Sequence, residues 1–66
     1  MREEVHNTVQ ALREASGVTQ EELAHEIGVS RQTVIAIEKG NYTPSVLLAL
    51  KLARYFKKHV DDIFSL

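Results

Sequence analysis

Within the twelve residues from Thr19 to Ser30 the chain holds a helix start, a glycine stop and a second helix start. Thr19-Gln20-Glu21-Glu22 is a capping box, in which the Thr19 hydroxyl accepts from the Glu22 amide and the Glu22 carboxylate accepts from the Thr19 amide. A helix beginning at Gln20 buries Leu23, Ala24 and Ile27 and stops at Gly28, which can take the left-handed conformation of a helix end. Ser30 then reads as the N-cap of the next helix. Two helices joined by a turn of about three or four residues containing a glycine make a helix-turn-helix. Small Ala24 allows the two helices to cross closely, and Val29, Val34 and Ile37 lock them as one rigid unit.

The remaining sequence has helical periodicity as well. There is one proline, there are three glycines, and the β-branched residues do not alternate, so the expected fold is all-α with five helices. The first helix is expected from about Glu3 to Ala15, with Val5, Val9 and Leu12 inward and a stop at Ser16-Gly17. Helix 3, about Arg31 to Lys39, has Val34 and Ile37 at core spacing behind a wholly polar first turn, Arg31-Gln32-Thr33. Gly40-Asn41-Tyr42-Thr43-Pro44 is a loop, and Ser45 caps a fourth helix from Val46 to about Lys57. That helix has two apolar stripes, one of Val46, Ala49, Leu50, Ala53 and Phe56, the other of Leu48, Leu52 and Tyr55. A short helical turn near Val60 to Phe64 closes the chain.

Sixty-six residues, 44% of them hydrophobic, make one domain spanning residues 1–66, and a chain of this size buries only about 60% of the surface its unfolded form exposes. No cysteine is present, which excludes disulfides, thiolate zinc sites and a cysteine nucleophile, so any additional staple must be an oligomer interface. Leu48, Leu52, Tyr55, Val60, Phe64 and Leu66 are the residues expected to contribute to a twofold interface. No apolar run approaches the roughly 18 residues of a membrane span, and Met1-Arg2-Glu3-Glu4 lacks a signal-peptide core. The expectation is a soluble, cytoplasmic protein without membrane contact. His6, His25 and His59 lie on three different elements without ligand-like spacing, and no catalytic set or phosphate loop is present. No enzyme activity, metal, cofactor or small-molecule ligand is expected.

A formal charge of −1 argues at first against a polyanionic partner. The charge is polarised, however. Residues 1–28 set Arg2 and Arg13 against six glutamates for a net −4, whereas residues 29–60 set six Lys and Arg against Glu38 alone for a net +5.

The stretch TQEELAHEIGVSRQTVIAIEKG, about residues 19–40, resembles the helix-turn-helix of the Cro and phage-repressor type, the xenobiotic-response-element family of regulators. The resemblance continues through Asn41-Tyr42-Thr43-Pro44-Ser45 and the Leu-Ala-Leu-Lys-Leu-Ala run to Val60-Asp61-Asp62-Ile63-Phe64, nearly the whole chain. It implies a compact five-helix, lambda-repressor-like domain that binds double-stranded DNA with helix 3 in the major groove.

By position, the implied base contacts are Arg31, Gln32, Ile35 and Ala36. Arg31 can bond bidentately to guanine and Gln32 to adenine, while Ile35 and Ala36 offer apolar contact such as to a thymine methyl. Many relatives carry a polar group where Ala36 stands. The implied phosphate contacts are Gln20, Thr33, Lys39, Asn41 and Tyr42, and Arg13 and Glu38 match a partly buried ion pair joining helix 1 to the end of helix 3. The implied function is a sequence-specific transcriptional regulator, a repressor binding a palindromic operator as a homodimer. The same fold also serves an antitoxin or a restriction-modification controller. A protein-interaction adaptor without DNA binding is disfavoured by the polar first turn of helix 3, where an apolar or acidic surface would be expected instead.

Overall fold

The computed structural model describes residues 3–66, which form five α-helices and one two-stranded antiparallel ladder. In chain order these are β1 (His6–Asn7), α1 (Val9–Ala15), α2 (Gln20–Ile27), α3 (Arg31–Glu38), α4 (Val46–Phe56), α5 (Val60–Ile63) and β2 (Phe64–Ser65). The expected five helices are present, and the ladder adds a clasp between the two ends of the chain.

One core joins all five helices: Val9 from α1, Leu23, Ala24 and Ile27 from α2, Val34 and Ile37 from α3, Leu48, Leu52 and Ala53 from α4, and Ile63 from α5. Leu23 and Leu52 are fully buried. Deleting either side chain would cost about 2–5 kcal/mol, the usual penalty for an uncollapsed core cavity.

Two terminal expectations need correction. The first helix begins at Val9, not near Glu3, because His6 pairs with Ser65 and Asn7 with Phe64 in the ladder. The Thr8 amide donates to the Ile63 carbonyl at 2.9 Å, so the backbone groups that would extend α1 backwards already have partners at the far end of the chain. Likewise Phe64 leaves α5 and becomes the first residue of β2, with extended φ −114° and ψ 140°.

Helix α4 buries a different face from the stripes read off its periodicity. Leu48 and Leu52, expected at a twofold interface, are 6% and 0% exposed inside the protein's own core, so neither can meet a partner. Tyr55, Val60 and Phe64 are half-buried against that same core, which leaves Leu66, 82% exposed, as the free member of the expected set. The apolar surface that α4 does present is Val46, Leu47 and Leu50, at 76%, 65% and 54% exposure.

Candidate nucleic-acid interface

The corner between α2 and α3 is built as its residues dictate. At its start the Glu22 amide donates to Thr19 Oγ1 at 3.0 Å and the Thr19 amide to Glu22 Oε1 at 2.9 Å. These bonds hold the Glu22 carboxyl below the usual carboxylate range, the Thr19 backbone amide being the larger cause. Gly28 ends α2 with φ 73°, a left-handed value that a side chain would strain, and the Val29 amide reaches back to the Ala24 carbonyl at 3.0 Å. Ser30 then caps α3, its hydroxyl accepting from the Thr33 amide at 3.2 Å. With Val34 and Ile37 each 1% exposed, α3 has its inward face fixed against the core.

Its outward face carries Arg31 and Gln32, both exposed in the first turn, followed by half-buried Ile35 and Ala36 one turn later. The residues expected to hold phosphates divide into groups. Gln20 shares an open recess with Arg31, Thr19, Glu21 and Arg13. Thr33 and Tyr42 line a separate groove, while Lys39 lies in a third beside Asn7 and Gly40. Exposed Asn41 is anchored by its amide to the Ala36 carbonyl at 2.9 Å. Two of these side chains already have internal partners. Thr33 Oγ1 lies 3.1 Å from the Ser30 hydroxyl, and Gln20 Nε2 donates to Glu38 Oε1 at 3.1 Å.

That last bond belongs to a cluster at the other end of α3. Arg13 Nε donates to Glu38 Oε2 at 2.6 Å and Nη2 to Oε1 at 3.3 Å, while Nη1 donates to the Val18 carbonyl at 2.9 Å. The two side chains are 11% and 3% exposed, so the pair is nearly removed from water. The hydrogen bond to Glu38 is the chief cause holding the Arg13 guanidinium above its ordinary range. One cluster thereby fastens the end of α3 to α1 and to the start of α2.

Two contributors escaped the sequence reading. Lys51 of α4 reaches the glycine turn, its Nζ standing 3.8 Å from where a Cβ on Gly28 would be, and it lines the groove of Thr33 and Tyr42. Helical spacing places Lys51 on a face of α4 but does not say which turn that face meets. Asn7 is the other, with bonds to α1 and α3 at once. Among the described residues no three His, Asp or Glu side chains stand close enough to hold a metal ion.

A short helix with a free polar first turn, locked at a fixed angle to its predecessor, is the reading head of a helix-turn-helix DNA-binding protein. The helix-turn-helix family model matches residues 9–63. A Methanocaldococcus jannaschii protein named as an HTH-type transcriptional regulator is 52% identical over 58 residues, 88% of each chain. The HTH-type transcriptional regulator YgzD of Bacillus subtilis gives the same identity over 58 residues, again 88% of each chain. Among solved structures, the restriction-modification controller protein C.AhdI from Aeromonas hydrophila superposes with a TM-score of 0.75 at 33% identity, covering 82% of each chain. The chain belongs to the helix-turn-helix family of Cro/C1-type DNA-binding transcriptional regulators. No helix among the described residues is long and apolar enough to cross a membrane.

Proposed function

We propose that the protein is a cytoplasmic, homodimeric repressor of a palindromic operator, reading bases with Arg31 and Gln32 and excluding polymerase from the site it covers. The observation that carries this reading is the exposed, polar first turn of α3 on a helix whose opposite face is sealed into the core. Ile35 and Ala36 give apolar contact one turn further on. Gln20, Thr33, Lys39, Asn41 and Tyr42 set the register on the phosphates.

The dimer forms through Val46, Leu47 and Leu50, the apolar surface that the core leaves uncovered, together with Leu66. In a twofold dimer the two α3 helices enter successive major grooves about 34 Å apart. Likeness to C.AhdI at 33% identity over 82% of both chains favours a second reading with the same DNA chemistry, a restriction-modification controller. A gene for a restriction endonuclease beside this one would select that reading.

Selection of binding sites from random duplex DNA, followed by titration of the winner across salt, tests the proposal. A palindrome should be enriched, and affinity should fall steeply with salt. No enriched sequence and a flat salt response would end it. For the dimer, Leu50→Glu should sediment as a folded monomer. An unchanged dimer would remove α4 from the interface.

A further inference from the structure

We propose that Asn7 is a positioning residue for DNA recognition: its side-chain amide bridges the clasp at the chain's two ends to the backbone of the last turn of α3. Both ends of that amide are in use. Oδ1 accepts from the Val9 amide at 3.0 Å, satisfying the first amide of α1, and Nδ2 donates to the Ile37 carbonyl at 2.9 Å across thirty positions of sequence. The Ile37 carbonyl also accepts from the Gly40 amide at 3.0 Å, so Asn7 bonds at the point where α3 turns into its following loop.

Asn7 is itself held from behind. It pairs with Phe64 in the ladder, and the next amide, of Thr8, bonds to the carbonyl of Ile63, whose side chain is 1% exposed in the core. A hydrogen-bonded path thus runs from α5 and β2 through Asn7 and Thr8 into α3.

The need for such a brace follows from the size of α3. It has eight residues and fully buries two side chains, Val34 and Ile37, so a bond to its backbone at the far end adds a fixed point outside that short seam. Recognition geometry must be held to within about 0.5 Å. Arg13 and Gln20 hold the carboxylate of Glu38, at the end of a flexible side chain, whereas Asn7 holds the helix backbone directly. This inference rests on the proposal that α3 carries the base contacts.

Two variants test it. Asn7→Ser is neutral and keeps an oxygen for the Val9 amide, but has no donor that reaches Ile37. Asn7→Asp keeps the full-length acceptor and loses the donor. Both should keep native helicity and cooperative unfolding, with faster amide exchange at Gly40 and Asn41. Affinity for the selected operator should drop about tenfold, the equivalent of one hydrogen bond. In Asn7→Ser, binding to unrelated duplex and the salt slope should stay as they are, because no phosphate contact is lost.

Native exchange and native affinity in the Ser variant would overturn the proposal, as would equal weakening on operator and unrelated DNA. Should either variant fail to fold, protection of the Asn7 side-chain amide protons in the unmodified chain decides the matter. Slowed exchange supports the brace, and exchange at the rate of a free amide overturns it. If the unmodified chain enriches no site, the reading of α3 fails, while the exchange measurements still report on the brace.

Discussion

At the first turn of α3, Arg31 and Gln32 are exposed and make no side-chain hydrogen bond to the rest of the chain among the described residues. About two turns later, the end of the helix is held by Arg13 and Gln20 through Glu38 and by Asn7 through the Ile37 carbonyl. One helix thus has an open end whose two polar side chains take no part in holding the fold, and a fastened end whose carboxylate and Ile37 carbonyl are taken up by the protein itself. The contrast separates two demands that a reading helix must meet: groups free to exchange water for bases, and a frame stiff enough to aim them. Breaking the ion pair at the fastened end should act on stability, and substitutions at the open end on recognition.

The largest effect is expected at the fastened end. Arg13→Ala strands the Glu38 carboxylate, 3% exposed, without its bidentate partner, and should destabilise the fold by about 3–5 kcal/mol. A chain of 66 residues has in total roughly 3–10 kcal/mol, so the variant should be substantially unfolded at room temperature in a urea or thermal melt. Replacing both partners, Arg13→Met with Glu38→Leu, should recover most of the loss, since it is the uncompensated charge that costs. A double variant as unstable as Arg13→Ala would mean that the Val18 carbonyl bond, not the ion pair, carries the effect.

At the open end the outcome reverses. Gln32→Ala should melt within about 0.5 kcal/mol of the unmodified protein, as surface substitutions do. It should nonetheless relax preference at one base pair of each half-site by about 1–3 kcal/mol. Just past the fastened end, Lys39→Ala, exposed at the C-cap of α3, should weaken all sequences alike and lower the salt slope by about 1. Equal effects of both on specificity in the site-selection assay would refute the division between reading and register.

How much of this contrast the sequence reveals depends on how far apart the interacting groups lie. The Thr19 and Glu22 box, the Gly28 turn and the Ser30 cap are legible because each donor and acceptor sits within about one helical turn of its partner. So is the open end, since a polar first turn behind an N-cap can be read directly. The start of α1 is not legible, because Asn7 and Thr8 find their partners at Ile37, Ile63 and Phe64. Gln20 has the same difficulty: its amide looks free in sequence but is bonded to Glu38, eighteen positions away. Helix α4 fails for another reason. Apolar on nearly every side, it gives no contrast from which to tell that Leu48 and Leu52 turn inward while Val46, Leu47 and Leu50 stay in water.

The smallest effect concerns the link between the two kinds of end. Gln20 reaches the fastened end of α3 from the first turn of α2, whose start depends on the Thr19 and Glu22 box. The bonds from Thr19 lower the carboxyl of Glu22 from its ordinary value of 4.5, so the folded chain binds fewer protons there than the unfolded chain. Its contribution to stability is therefore present above the unfolded value and is lost as pH falls through the folded one. Glu22→Gln keeps an oxygen for the Thr19 amide and removes the titration. Between about pH 5 and pH 3 its melting temperature should fall less steeply than that of the unmodified protein. Equal slopes would show that acid acts elsewhere and that the start of α2 does not weaken the hold on α3. With the difference present, the protection of the Glu22 and Leu23 amides against exchange should fall on acidification in the unmodified chain before that of Thr33 and Val34 does, because the Ser30 cap contains no group that titrates there.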